Sequence, residues 1–124
     1  MSRRVLSVGN CSFDHGALRY LIQENFDAEL VAAAGADQAL AAIDVGPFDL
    51  ILVNRKFHAD SADGLDLIRR LKSDPAVAAT PVMLLSDRPE YQQSAVEAGA
   101  EPGFGKSALN DAETLRRLAR YLRD

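Results

Sequence analysis

The segment FDLILVNRKFH, residues 48–58, contains the most hydrophobic strand-like run of the chain. Residues 50–53 are all aliphatic, and an unbroken apolar run of this length is typical of a parallel strand covered on both faces. The run ends at Asn54, and the residues that follow are polar and basic. The sequence therefore predicts a buried strand with a neutral carboxamide at its tip, followed by a polar loop over residues 55–63.

Composition limits the class of protein. A chain of 124 residues with 48% hydrophobic content is long enough to bury its own core, which predicts a single domain over 1–124. The net charge of -4 and the pI of about 5.1 give no basic field, so we expect no direct nucleic-acid binding. One cysteine excludes a disulfide within the chain and a four-thiolate metal site. No apolar run is long enough to be a signal peptide or to span a bilayer, so we expect a cytoplasmic protein without membrane contact.

Short apolar runs alternate with longer amphipathic segments, which predicts βαβ units and a doubly wound α/β sheet. The predicted strands are residues 5–8, 30–32, 50–53, 82–85 and 102–105. The last of these has weak strand composition, because its two glycines reduce pairing and packing. Its place in the alternation of strands and helices, more than its strand propensity, supports this segment as the fifth strand.

The predicted helices follow recognisable starts. Ser12 is the expected cap of the first helix and Asp63 of the third, since short polar side chains accept hydrogen bonds from the first turn. Asp37 opens the second helix, and the fourth covers residues 90–98. Asn110 and Glu113 have the spacing of a capping box before the last helix.

Ligands of such sheets bind at the carboxyl ends of the strands. The residues that follow the predicted strands are therefore the candidates for function. They are Gly9, Asn10, Asn54, Ser86 and Lys106.

Five segments occur in an order and spacing found in one family. They are RVLSVGN, PFDLILVN, GLDLIRRLKSDP, TPVMLLS and EAGAEPGFGKS. Jointly they resemble the receiver domain of bacterial two-component response regulators, over almost the whole chain. The resemblance implies a flavodoxin-like, or CheY-like, fold with a five-stranded parallel sheet in the order 2-1-3-4-5 and five helices.

The resemblance also shows what this chain lacks. Receivers carry an acidic pair after the first strand, a phosphoacceptor Asp after the third, a hydroxyl after the fourth, and an aromatic switch and a Lys-Pro pair in and after the fifth. Ser86 and Lys106 keep the hydroxyl and lysine positions. The other positions are changed, to Gly9 and Asn10 for the acidic pair, Asn54 for the phosphoacceptor, Gly103 for the switch aromatic and Ser107 for the proline.

These changes remove the chemistry of a receiver. The Asp carboxylate normally attacks a phosphoryl group while Mg²⁺ neutralises the charge that develops. Mg²⁺ prefers anionic oxygen ligands, whereas Gly9 offers no side-chain ligand and Asn10 and Asn54 offer only neutral oxygens. The sequence therefore predicts no bound Mg²⁺, no phosphorylation at Asn54 and no enzymatic activity.

Several polar side chains have more than one interpretation. Asn54 keeps the shape of the phosphoacceptor without its charge, or hydrogen-bonds the turn after its strand. Lys106 must pair with Asp14 or Asp87, or extend to water, because an unpaired buried charge is costly. Ser86 is interpreted as a satisfied hydroxyl at a strand end more than as a phosphate contact.

The loop after Asn54 has two charged features. Arg55 and Lys56 could contact an anion in place of the missing metal, although solvated loop charges are the favoured interpretation. His58, Asp60 and Asp63 make a weak metal site, because a flexible loop fixes no ligand geometry. Polar loop residues, with Asp63 as a helix cap, are favoured there too.

The sequence thus predicts a pseudo-receiver that acts as a protein–protein interaction module, independently of phosphorylation, in bacterial signal transduction. The family suggests the surface of the fourth helix, fifth strand and fifth helix for an unidentified protein partner or a second copy in a homodimer. Exposed arginines of the last helix would pair with a partner or with water. Two alternatives remain: a sensor of a small anion or nucleotide using Arg55, Lys56, Ser86 and Lys106, and a receiver phosphorylated on Asp14, Asp60, Asp63 or Asp87.

Overall fold

The computed structural model describes residues 2–123, so the first and last residues of the predicted domain 1–124 lie outside the described part. The strands are β1 (Arg3–Val8), β2 (Ala28–Ala33), β3 (Leu50–Asn54), β4 (Val82–Leu85) and β5 (Glu101–Phe104). The helices are α1 (Ser12–Asn25), α2 (Ala36–Val45), α3 (Gly64–Ser73), α4 (Pro89–Glu97) and α5 (Ala112–Leu122), and a 3-10 turn covers Lys106–Ala108.

The strands form one parallel sheet in the order β2-β1-β3-β4-β5. The predicted doubly wound fold and its strand order are therefore confirmed. Strand β3 lies at the centre, and its residues 50–53 are fully buried, as the unbroken apolar run indicated.

Two apolar layers sandwich the sheet. Ile51 and Val53 of β3 pack with the buried faces of α2, α3 and α4. Leu50 and Leu52 pack with α1 and α5 on the opposite side, because successive side chains of a strand point to opposite faces. Phe104 of β5 is buried in this second layer, so its side chain points into the core.

Two predicted helix caps are wrong. Ser12 is the first residue of α1, and the capping atom is the Sγ of Cys11, which accepts a hydrogen bond from the Asp14 backbone N at 3.5 Å. Asn110 lies one residue before the N-cap position of α5, which Asp111 occupies. Glu113 is therefore one residue too early in the helix for a capping box.

The remaining helix starts agree closely with the sequence. Asp63 caps α3 as predicted, since its Oδ1 accepts from the Leu65 backbone N at 2.9 Å. Helix α2 begins one residue before Asp37, after Gly35, and α4 begins at Pro89. Strand β5 covers residues 101–104 and so begins one residue earlier than predicted.

No helix within residues 2–123 is long and apolar enough to cross a membrane.

Candidate functional site

The carboxyl ends of β1, β3 and β4 lie side by side. Val8 pairs with Val53, and Asn54 pairs with Leu85, so the residues that follow these strands meet at one edge. We call this region the carboxyl edge and define it by Gly9, Asn10, Asn54, Ser86 and Lys106.

The ring of Phe57 lies against Gly9 at this edge. Gly9 has a φ of +83°, and a Cβ built on it would stand 2.2 Å from Cδ1 of Phe57. Phe57 is only 2% exposed and belongs to the apolar layer of α2, α3 and α4. Glycine at position 9 therefore makes room for the aromatic ring, besides offering no side-chain ligand.

The loop that carries Phe57 is held by backbone hydrogen bonds. The Phe57 N–H donates to the Ala62 carbonyl at 2.9 Å, and the Ser61 N–H donates to the Phe57 carbonyl at 2.8 Å. Lys56 and Asp63 form an antiparallel bridge across the loop. The segment predicted as a polar loop is thus a closed turn with one aromatic side chain directed into the core.

Asn54 acts as a hydrogen-bond donor at the tip of β3. Its Nδ2 donates to the Lys56 carbonyl at 2.8 Å and to the Gly9 carbonyl at 3.4 Å. The Gly9 carbonyl also accepts from the His58 backbone N at 2.9 Å. Asn54 therefore hydrogen-bonds the turn after its strand, which was one of the two interpretations from the sequence. Its bond to Gly9 also joins the loop after β3 to the loop after β1.

Asn10 faces back towards its own strand. Its Nδ2 donates to the buried Ser7 hydroxyl at 2.8 Å, while its Oδ1 is buried and has no hydrogen-bond partner among the described residues. This oxygen is neutral. A carboxylate at the same position would bring a full charge into a part-buried place, at considerable cost without a cation.

The groups at the carboxyl edge do not fit as ligands of a Mg²⁺ ion of the kind that receivers bind. Such an ion needs several oxygen ligands, some of them anionic, in octahedral geometry. At this edge Gly9 supplies no side chain and is covered by Phe57, and Asn54 directs N–H groups at the backbone. Within residues 2–123, no group of three or more His, Cys, Asp or Glu side chains could hold a metal ion.

Lys106 pairs with Asp14. Its Nζ lies 2.7 Å from Oδ2 of Asp14, with both side chains about one-third exposed. The hydrogen bond from Lys106 lowers the pKa of Asp14. Of the partners weighed from the sequence, Asp14 is therefore correct, and the lysine joins the end of β5 to α1.

Asp87, the other predicted partner of Lys106, binds elsewhere. Its Oδ1 accepts from the Ser107 hydroxyl at 2.6 Å. The neighbouring Ser86 hydroxyl accepts from the Arg88 backbone N at 3.2 Å. Ser86 thus behaves as the satisfied strand-end hydroxyl that was favoured from the sequence.

The two basic residues after β3 differ in their surroundings. The Arg55 guanidinium lies 4.2 Å from the ring centre of Tyr91 in α4 and 3.8 Å from a carboxylate oxygen of Asp63. Lys56 is exposed. Arg55 is directed towards α4, and anion binding by Arg55 and Lys56 stays a prediction.

The His/Asp residues of the loop are engaged in local structure. Asp60 Oδ1 accepts from the Ala62 backbone N at 2.9 Å, and Asp63 caps α3. His58 is exposed. These contacts favour polar loop residues, as the sequence interpretation did.

Gly103 stands where the resemblance to receivers places the switch aromatic, and the space around it is closed. A Cβ at Gly103 would stand 2.2 Å from the Leu84 carbonyl oxygen. Its N–H donates to Oε1 of Gln92 at 2.9 Å, and its carbonyl accepts from Arg117 of α5. A side chain that rotates inward cannot be accommodated here.

Sequence reasoning missed Phe57 and Gln92. Both lie in segments with polar or weakly apolar composition, which hides a single buried side chain. The signal that could have pointed to Phe57 is the glycine at position 9. A glycine leaves space that a large neighbouring side chain such as Phe57 can fill.

Comparison with solved structures agrees with this architecture. NtrX from Brucella abortus is 25% identical, with a TM-score of 0.81 over 98% of this chain and 27% of that chain. The chemotaxis protein CheY4 of Vibrio cholerae is 22% identical, with a TM-score of 0.78 over 98% of this chain and all of the other. A response regulator from Thermotoga maritima is 20% identical, with a TM-score of 0.79 over the full length of both chains.

The fold is that of response regulator receiver domains.

One curated protein is similar in sequence, and no protein-family model matches the chain. The gliding motility regulatory protein of Myxococcus xanthus is 37% identical over 79 residues, or 62% of this chain. This chain spans about 10% of the length of that protein.

Proposed function

We propose that this chain is a cytoplasmic, phosphorylation-independent receiver-fold module that acts in bacterial signal transduction by binding another protein. The observation that carries the proposal is the filled carboxyl edge. The Phe57 ring covers Gly9, and the Asn54 amide donates to two backbone carbonyls, where a receiver needs metal ligands and a nucleophilic carboxylate.

The electrostatics of the edge support the same proposal. A carboxamide is a poor nucleophile towards phosphorus, and phosphoryl transfer depends on positioning and on cationic neutralisation of developing charge. Lys106, the remaining cation of the receiver pattern, already pairs with Asp14. The retained Ser86 hydroxyl is bonded to the Arg88 backbone.

A relocated phosphoacceptor is disfavoured by the contacts of the four aspartates considered. Asp14 pairs with Lys106, and Asp63 caps α3. Asp60 and Asp87 accept hydrogen bonds from Ala62 and Ser107. None of the four belongs to a group of acidic side chains suited to a metal ion among the residues described.

The proposed interaction surface is the face of α4, β5 and α5. A groove of about 270 Å³ lies between β5 and α5, lined by Glu101, Pro102, Tyr121 and arginines of α5. Burial and the neighbouring Glu101 raise the pKa of Tyr121 to about 12, so its hydroxyl stays protonated and bonded to Glu101. Arg116 and Arg120 are exposed beside the groove. A protein partner or a second copy of the chain would meet these side chains.

The proposed role in signalling is supported by the proteins that this chain resembles. Solved proteins with this fold include a chemotaxis protein and response regulators, and the curated relative regulates gliding motility. Fold alone is a weak warrant for function. The filled carboxyl edge is therefore the stronger support for phosphorylation independence.

Incubation with acetyl phosphate and Mg²⁺, followed by intact-mass measurement, tests the proposal. We expect no stoichiometric gain of a phosphoryl group for the wild-type chain, and none for Asn54→Asp, because Phe57 and the missing acidic pair still prevent metal binding. A receiver with its acidic residues intact is the positive control. A gain of one phosphoryl group on the wild-type chain, lost at high pH, contradicts the proposal.

A further inference from the structure

The pairing of β4 with β5 contains an irregularity at the position of the lost switch aromatic. Met83 pairs with Glu101 and Leu85 with Phe104, so β5 carries one residue more than β4 between these pairs. A bulge of this kind leaves backbone groups unpaired. Gly103 lies within it, so close to Leu84 that only glycine fits.

One side chain of α4 satisfies the backbone groups around this bulge. Gln92 Oε1 accepts from the Gly103 N–H at 2.9 Å. Gln92 Nε2 donates to the Leu84 carbonyl at 2.8 Å and to the Ser86 carbonyl at 3.1 Å. The two ends of one carboxamide thus bond to both strands of the pair.

Neighbouring contacts hold the same region from two further directions. Tyr91, adjacent to Gln92, packs under the Arg55 guanidinium of the loop after β3. Arg117 of α5 donates to the Gly103 carbonyl. Helices α4 and α5 are therefore both bonded to Gly103.

We propose that Gln92 is a positioning residue that locks α4 onto the β4–β5 bulge and holds the face of α4, β5 and α5 in one preformed arrangement. Moving α4 away would break the bond that the Gly103 N–H makes with Gln92 and remove one donor from each of the Leu84 and Ser86 carbonyls. An unsatisfied buried polar group costs more than an average hydrogen bond contributes. The face is then ordered without phosphorylation at the carboxyl edge. A partner meets a surface that is already ordered, which reduces the cost of binding.

The lock is tested by amide hydrogen exchange in Gln92→Met, which keeps the size and helix preference of the side chain but makes none of its three bonds. We expect exchange at Gly103 and along α4 to accelerate by about tenfold or more relative to Leu6 in the interior strand β1, since one buried hydrogen bond is worth roughly a factor of ten. Normalising to Leu6 separates local opening from a general loss of stability.

Two further variants make the result decisive. Gln92→Glu can still accept from Gly103 but cannot donate to Leu84 or Ser86 when ionised, so it should also accelerate local exchange. Gln93→Ala, an exposed neighbour on the same helix, is the matched control and should leave exchange unchanged. If Gly103 exchanges in Gln92→Met and Gln92→Glu as it does in Gln93→Ala, or if all amides accelerate by one common factor, Gln92 is not a lock.

Discussion

At the tip of β3 the difference between asparagine and aspartate lies in the direction of hydrogen bonding as well as in charge. The Asn54 amide donates to the carbonyls of Gly9 and Lys56. A carboxylate can only accept hydrogen bonds. Asn54 is therefore a structural tie between two loops, besides lacking a nucleophilic carboxylate.

This difference predicts that Asn54→Asp is destabilising. We expect the free energy of unfolding to fall by about 1–3 kcal/mol at neutral pH, because both carbonyls lose their donor and face a carboxylate. Urea denaturation measures the change. The same substitution at the exposed Asn110 is the control and should have an effect within about 0.5 kcal/mol. Equal stability of Asn54→Asp and wild type would show that the amide bonds contribute nothing.

The Lys106–Asp14 pair predicts a pH-dependent contribution to stability. The pKa of Asp14 is lower in the folded state than its ordinary value of 3.8. The pair therefore stabilises the fold above that value, and the contribution is lost as the pH falls through the folded-state pKa. A part-exposed pair is worth about 0.5–1 kcal/mol.

A double-mutant cycle of Lys106→Met and Asp14→Asn, followed by urea denaturation at several pH values, measures this term. The coupling free energy should be present near neutral pH and shrink towards zero on acidification below 3.8. A coupling that is absent at neutral pH, or that grows on acidification, would contradict the assignment of Asp14 as the partner.

At this scale the sequence shows directly that Gly9, Asn10 and Asn54 carry no carboxylate. The absence of Mg²⁺ binding and phosphorylation that we infer from it stays a prediction. The partner of Lys106 could not be chosen from sequence, because Asp14 and Asp87 both follow strands at the same edge and only their distances distinguish them.

The loop between β3 and α3 is the element that closes the carboxyl edge. Its backbone is closed by hydrogen bonds around Phe57, and the ring covers Gly9. An aromatic side chain in this place contributes to the core and occupies space beside the end of β1. The loop is thus part of the packed structure.

Removal of this ring should cost much stability. Phe57→Ala is expected to lower the free energy of unfolding by about 3–5 kcal/mol, as for other buried aromatic residues. Phe13→Ala is the matched control, because Phe13 is 76% exposed and should change stability by less than about 0.5 kcal/mol. Urea denaturation of both variants gives the comparison. Similar small effects for the two would mean that Phe57 does not hold the edge.

Elements with strong periodicity were predicted well from sequence, and their ends were predicted less well. The apolar run of β3 and the cap at Asp63 were correct. The predicted capping box at Asn110 and Glu113 failed because α5 begins one residue later than the pattern suggested, which a sequence pattern cannot resolve. The bulge at Gly103 was hidden because it depends on the register between two strands.

On the scale of the whole molecule, two places that the resemblance to receivers associates with signalling are both closed by packing and hydrogen bonds. The carboxyl edge is closed by Phe57 and Asn54, and the position of the switch aromatic is a glycine bonded to Gln92. The strand order and the placement of helices were predictable, because alternation and family resemblance specify topology. The side-chain contacts that close the two ends were not, because they depend on packing.

The face of α4, β5 and α5 should carry the interaction with a partner. Reversing two exposed charges beside the groove, in Arg116→Glu with Arg120→Glu, should abolish capture of partners in a pull-down, or dissociate a homodimer in size-exclusion chromatography. Reversal of the exposed Arg69 and Arg70 on α3 is the control and should leave binding intact. Equal loss in both double variants, or in neither, would exclude this face.

Titration of the isotope-labelled chain with Mg²⁺, followed through the backbone amide resonances of Gly9, Asn54 and Phe57, measures whether the carboxyl edge binds the ion. A carboxyl edge covered by an aromatic ring and lacking carboxylates predicts no saturable shift of these resonances at millimolar Mg²⁺. A saturable shift at these residues, reversed by a chelator, would show that the edge binds the ion and would contradict the account.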